Sequence, residues 1–176
     1  MNRSIIFKSV RAMTVAAMLV TMSVVIGIFC KTFFSFAGGL VRITFEILPI
    51  IISGIIFGPI VGSVVGVATD LISYLLSPQT YPPNLVVTLG AALVGAVSGV
   101  MSRYVVKKRG SWQIAVSGAA AHIVGSMIVK TVGLYQFFGI LVLWRIPLYV
   151  VIASIEIAVI CALFKRESFR RLLQRI

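Results

Sequence analysis

Six blocks of apolar residues, separated by short polar or glycine-proline breaks, make up most of this 176-residue chain. The chain is 60% hydrophobic and only 11% charged, whereas a soluble domain is roughly 45–50% apolar and about 25% charged. Long apolar blocks of this kind predict membrane-spanning helices. The blocks are Ala12–Cys30, Ile43–Phe57, Ile60–Leu76, Leu85–Met101, Trp112–Val129 and Ile140–Phe164. We therefore expect an all-α membrane protein, a six-transmembrane-helix bundle that forms one domain over residues 1–176.

The basic residues set the expected orientation of the bundle. The formal net charge is +12, and the basic residues cluster at the ends of the apolar blocks, which indicates membrane anchoring rather than nucleic-acid binding. With the N-terminus inside, twelve of the sixteen Lys and Arg residues face the cytoplasm. The other four, Lys31, Arg42, Lys130 and Arg145, face outward. This asymmetry predicts an even number of spans with both termini cytoplasmic.

Three outer connections are rich in aromatic residues or proline. They are Lys31–Arg42, Ser77–Asn84 and Thr131–Gly139. Their aromatic side chains suit an interfacial belt, and equally suit loops that close over an outward-facing ligand site. Both interpretations remain open from the residues alone.

Ionisable residues inside apolar blocks are costly to bury and often mark function. The outer half of the predicted bundle holds a set of both signs: Arg42, Glu46, Asp70, Lys130 and Arg145. One interpretation is a structural ion pair of Asp70 with Arg145 or Lys130. The other is a ligand pocket lined by both charges, which we favour because the set contains more charges than one pair needs.

Catalytic motifs are weak in this chain. Ser98 and His122 on neighbouring helices loosely fit the nucleophile and base of an intramembrane serine protease, but serine is common in packed membrane helices. The sequence contains no phosphate loop and no zinc-binding motif. We therefore predict a protein that is not an enzyme, needs no cofactor, and draws any transport energy from a partner or an ion gradient.

The stretch VRITFEILPIIISGIIFGPIVGSVVGVATDLISYLL resembles the S-components of energy-coupling factor (ECF) transporters. The resemblance rests on Arg42 and Phe45 at the entry to the second block, on Leu48-Pro49, on the Gly58-Pro59 turn and on Asp70. It implies a six-helix, vitamin-binding subunit in the plasma membrane of a bacterium.

The same resemblance implies partners. The first helix of the family carries a small-xxx-small motif that docks on a transmembrane coupling subunit, itself joined to two ATPase subunits. Ala12 and Ala16 match this motif, and Ala17 offers a neighbouring register.

Among the vitamins, folate is the expected substrate. The run from Lys130 to Glu156 and the loop Tyr81-Pro82-Pro83-Asn84 resemble folate-specific members. Folate combines a pterin, which suits a carboxylate and aromatic faces, with a tail of two carboxylates, which suits basic residues. The predicted substrate-binding residues are Arg42, Glu46, Asp70, Tyr81, Asn84, Lys130, Trp144 and Arg145, with Lys31 and Phe137 as further contacts. Pantothenate and riboflavin remain alternatives.

Overall fold

The structure, a computed structural model, describes residues 10–36, 41–76, 84–105 and 111–166. Within these ranges seven α-helices follow one another. They are α1 (Val10–Phe33), α2 (Ile47–Phe57), α3 (Pro59–Leu76), α4 (Leu85–Val100), α5 (Ser111–Ala121), α6 (Thr131–Phe138) and α7 (Arg145–Lys165). Two π-helical stretches, Met101–Val105 and His122–Lys130, extend α4 and join α5 to α6. A 3₁₀ turn, Gly139–Trp144, precedes α7.

A two-residue β-ladder lies between α1 and α2. Strand β1 (Ser35–Phe36) pairs antiparallel with β2 (Val41–Arg42), so that Ser35 faces Arg42. The fold is otherwise helical across the described residues, as the sequence predicts.

Five helical stretches of the described chain are long and apolar enough to cross a membrane. They are Val10–Phe33, Pro59–Leu76, Leu85–Val105, Trp112–Leu143 and Ile146–Lys165. Helix α2 is apolar but has only 11 residues. At 1.5 Å per residue it covers about 16 Å, roughly half of a hydrocarbon core of about 30 Å.

Two predicted boundaries are wrong. The second apolar block was expected to be helical from Ile43, but α2 begins at Ile47. Residues 43–45, which follow strand β2, are not helical. Thr131–Gly139 was expected to be a loop, but Thr131–Phe138 is helix α6 and continues the helical stretch Trp112–Leu143. Helix α6 ends at Gly139, whose φ of 58° is a conformation that glycine adopts readily.

Close glycine contacts hold α2, α3 and α4 together. An added Cβ at Gly62 of α3 would overlap the carbonyl oxygen of Gly95 of α4, and one at Gly95 would overlap Gly62. Gly54 of α2 approaches Ser98 and Gly95 in the same way. Small residues let helix backbones approach closely in lipid, and these glycines allow such an approach among α2, α3 and α4.

The turn between α2 and α3 lies at the predicted Gly58-Pro59 break. Gly58 has a φ of 94°, which favours glycine. The guanidinium of Arg103 lies against Gly58, and its Nη2 donates a hydrogen bond of 3.4 Å to the Ile56 carbonyl. The arginine thereby satisfies a carbonyl at the end of α2.

Candidate functional site

The amino end of α2 carries a carboxylate that lies between two lysines. Glu46 Oε2 is 3.3 Å from Lys31 Nζ in the last turn of α1, and Glu46 Oε1 is 3.8 Å from Lys130 Nζ. All three side chains are at least 86% buried. We call these three residues the anion cluster, because their two ammonium groups and one carboxylate leave one net positive charge, which attracts an anion.

Two glycines give the anion cluster its space. A Cβ at Gly27 of α1 would overlap the Glu46 carboxylate, and a Cβ at Gly90 of α4 would overlap the Lys130 side chain. The Ser23 hydroxyl donates to the backbone carbonyl of Glu46 and so ties the start of α2 to the middle of α1. The short α2 therefore begins inside the bundle, where a broken helix can present its amino end to a ligand.

A second polar group joins α3 to α4. The Thr88 hydroxyl donates a hydrogen bond of 2.7 Å to Asp70 Oδ2. Asn84 caps α4 by accepting from the Val86 backbone N–H at 2.9 Å, and its side-chain amide donates to the Gly133 carbonyl at 2.7 Å. Asn84 thus fixes the start of α4 against α6, and Asp70 lies half-buried beside it.

A third polar pair lies at mid-depth. His122 Nε2 is 2.6 Å from Glu156 Oε2, and both side chains are fully buried. His122, which the sequence offered only as a loose candidate for a catalytic base, has Glu156 of α7 as its partner. The pairing with Glu156 was not predicted.

Three buried hydroxyls have no hydrogen-bond partner among the described residues. They belong to Thr69, Ser73 and Ser126. Other serines of these helices, such as Ser53 and Ser98, donate to a carbonyl of their own helix. Buried polar groups are normally hydrogen-bonded, so these three are available to bound water or a polar ligand.

The structure brings together some of the predicted site residues. Glu46 and Lys130 belong to the anion cluster, and Asp70 and Asn84 belong to the neighbouring polar group. Tyr81 and the side chains of Arg42, Trp144 and Arg145 lie outside the described residues. The alternative interpretation paired Asp70 with Arg145 or Lys130. Among the described contacts Lys130 pairs with Glu46 and Asp70 with Thr88, so the version with Lys130 is wrong. Sequence reasoning placed Lys31 at the outer face but did not predict its pairing.

The predicted docking alanines line an apolar groove between α1 and α3. Its volume is about 200 Å³. Ala12 is buried in the groove wall, Ala16 is half-buried and Ala17 is exposed. The groove is lined by Ala12, Met13, Ala16, Ala17, Val20, Val61, Val64, Val65 and Ala68.

The residues of a serine-protease site do not meet. The Ser98 hydroxyl donates to the Gly95 carbonyl at 3.0 Å, while His122 pairs with Glu156. A nucleophilic serine needs its base within hydrogen-bond reach. The described contacts therefore give no support to that alternative.

The fold and the site define a multi-pass membrane protein with a buried, positively charged cluster at the amino end of a half-length helix. The chain belongs to the family of substrate-specific components of ECF transporters, whose family model matches residues 11–172. This family is a class of transporter substrate-binding subunits and not of enzymes.

Several solved chains are similar to this chain, and one of them matches it over most of its length. It is the crystal structure of FolT bound with folic acid, with a TM-score of 0.63 and 21% sequence identity. The alignment covers 86% of this chain and 88% of that chain. At this identity the likeness shows a shared fold. A comparison with curated protein sequences returned no significant match.

Proposed function

We propose that this chain is a high-affinity folate-binding S-component of an ECF-type importer in the plasma membrane of a bacterium. It crosses the membrane six times with both termini in the cytoplasm, α2 being the short second span. The twelve cytoplasmic and four outer basic residues support this orientation. The chain would deliver folate to a coupling subunit and two ATPase subunits, which supply the energy.

The anion cluster is the observation that carries the substrate assignment. Two buried lysines share one carboxylate, so the three groups carry one net positive charge, which would attract a ligand carboxylate. Charge-assisted hydrogen bonds are strong where water is excluded. The glutamate tail of folate supplies two carboxylates for this purpose. The fold shared with a folate-bound protein supports the same assignment.

Asp70 is a better candidate than Glu46 for the carboxylate that binds the pterin. Glu46 already interacts with Lys31 and Lys130, whereas Asp70 is half-buried and hydrogen-bonded to the neutral Thr88. A carboxylate in this position can accept hydrogen bonds from the amino-pyrimidine edge. Tyr81, Trp144 and Phe137 remain proposed ring contacts, and Arg42 and Arg145 remain proposed partners of the tail.

Docking on the coupling subunit would use the groove between α1 and α3. Ala12, Ala16 and Ala17 line it together with valines of α3, and small residues permit close helix approach. This assignment comes from the family resemblance.

Pantothenate is the second candidate, because one net positive charge in the cluster also suits a ligand with a single carboxylate. Equilibrium binding to the purified chain in detergent, measured by calorimetry, separates the candidates. We expect nanomolar binding of folate and no heat from pantothenate or riboflavin. Binding of another vitamin instead would overturn the folate assignment. Failure of a monodisperse sample to bind any of the three would count against substrate binding itself.

A further inference from the structure

The buried face of α3 changes in character along the helix. Gly62 and Gly66 form this face near the start of α3, and Thr69 and Ser73 continue it toward the end. Residues three, four and seven positions apart lie on the same side of a helix. Close glycine contacts with α4 therefore give way to two hydroxyl side chains, each of which is only 2% exposed.

These two hydroxyls have no hydrogen-bond partner among the described residues. Ser53, which is just as buried, instead donates to the Ile50 carbonyl of its own helix at 2.7 Å. A buried hydroxyl without a partner costs free energy, and such groups are rare in folded proteins. Thr69 and Ser73 are four residues apart, so their side chains are neighbours on the helix surface. They form one unpartnered polar patch.

The contacts of α4 fix the depth of this patch in the bundle. Asp70, next to Thr69 in sequence, accepts a hydrogen bond from Thr88 of α4. Two residues further along α4, Gly90 lies against the Lys130 side chain. Two helical residues span about 3 Å. Thr69 therefore lies at nearly the same depth as the lysine of the anion cluster.

The contacts of α2 show that the patch extends past the amino end of that helix. An added Cβ at Gly62 would overlap Gly54, so these residues mark one level of the antiparallel pair α2 and α3. Counting back along α2 from this level leads to its first residue, Ile47, and the same distance along α3 leads to Thr69. Ser73 lies one further turn along, about 6 Å beyond the start of α2.

We propose that the Thr69 and Ser73 hydroxyls form a hydrogen-bonding subsite for the uncharged ring of the ligand, separate from the anion cluster that binds its carboxylates. This inference rests on the proposed function and assigns the pterin to the end of α3. A pterin carries ring nitrogens and a carbonyl oxygen that accept hydrogen bonds, and a hydroxyl can donate them. The ring would donate to Asp70 and accept from the two hydroxyls.

The first measurement is the Tm of ligand-free variants in detergent. Thr69→Val and Ser73→Ala each delete one unpartnered hydroxyl and change the shape of the side chain little. Removing a buried polar group that has no partner carries no loss of hydrogen bonding, so we expect an equal or higher Tm. A clear fall of Tm would show that the hydroxyl supports the fold and would remove that residue from the subsite.

The second measurement is the Kd for folate and for its dimethyl ester, by calorimetry. We expect Thr69→Val and Ser73→Ala each to raise both Kd values about tenfold. The ratio of the two values should stay as in the wild type, because the hydroxyls contact the ring and not the tail. Lys130→Gln should instead raise the Kd for folate alone and so lower the effect of esterification.

Two further variants serve as controls. Ser53→Ala removes a buried hydroxyl that already has a partner and should leave both Kd values unchanged. Thr69→Ser keeps the hydroxyl and should bind folate as the wild type does.

A wild-type Kd for folate in both Thr69→Val and Ser73→Ala would overturn this proposal and leave the proposed function intact. A changed ratio, as expected for Lys130→Gln, would put the hydroxyls at the tail and would also overturn it. Absence of folate binding by the wild-type protein would contradict the proposed function, and the pterin subsite with it.

Discussion

Glu46 Oε2 and Lys31 Nζ lie 3.3 Å apart, although the two strands of the β-ladder lie between these residues along the chain. The contact exists because α2 is short and starts inside the bundle. The carboxylate then meets the last turn of α1 rather than the outer surface. The two lysines and the glutamate carry one net positive charge between them.

Replacing Lys130 should weaken ligand binding. Lys130→Gln removes one of two ammonium groups, and we expect the Kd for folate to rise at least about tenfold, equivalent to about 1.4 kcal/mol. Calorimetry with the detergent-purified variant measures this change. Lys165→Gln, at an exposed position of α7, is the matched control and should bind as the wild type does. Equal affinity of both variants would remove Lys130 from the site.

Replacing Glu46 should destabilise the ligand-free protein and increase the stabilisation by ligand. Glu46→Gln leaves two buried ammonium groups without their carboxylate, which should cost about 2 kcal/mol of unfolding free energy. A ligand carboxylate would then be their main counter-charge. We therefore expect a lower Tm without folate and a larger rise of Tm on adding folate. A rise no larger than that of the wild type would argue against a carboxylate binding between the lysines.

The contact between α3 and α4 gives a prediction about stability. Gly95→Ala would place a Cβ on the Gly62 backbone, which cannot move as a side chain can. We expect a loss of about 2 kcal/mol, the order found for overpacked cores, seen as a lower Tm in detergent. At Gly118 the nearest atom is the side-chain Cγ1 of Ile157 at 3.0 Å. Gly118→Ala should therefore cost distinctly less unfolding free energy. An equal loss in both variants would show that contact with backbone atoms is not the reason why Gly95 tolerates no side chain.

Docking and binding should be separable. Ala16→Trp fills the groove between α1 and α3, so it should leave the Kd for folate unchanged and abolish folate uptake in cells that also express the coupling and ATPase subunits. Met18→Trp places the same bulk on an exposed position of α1 outside the groove and should preserve uptake. Normal uptake by the Ala16 variant would show that this groove is not the docking surface.

Much of the fold could be predicted from hydropathy. The apolar blocks that became α1, α3 and α4 match the structure closely, because a continuous apolar run of that length favours a spanning helix. The start of α2 could not be predicted in the same way. Residues 43–45 are as compatible with an extended segment as with a helix, and only packing in three dimensions selects between them.

The site was predictable in composition but not in pairing. Loop charges placed Lys31, Glu46 and Lys130 in the outer half of the bundle. Which carboxylate meets a lysine depends on the depth at which α2 begins, and this depth brings Glu46 rather than Asp70 to Lys130. The His122–Glu156 pair was missed for the same reason, since the sequence shows that both residues lie deep but not that their helices are neighbours.

The most direct test of the central claim compares folate with its dimethyl ester, in which both tail carboxylates are neutral. The quantity is the ratio of the two Kd values for the wild-type protein at one salt concentration. We predict that the ester binds about a hundredfold more weakly, because the lysines then lose their charged partner in a buried site. Equal affinity for the two compounds, or no binding of folate, would contradict the account.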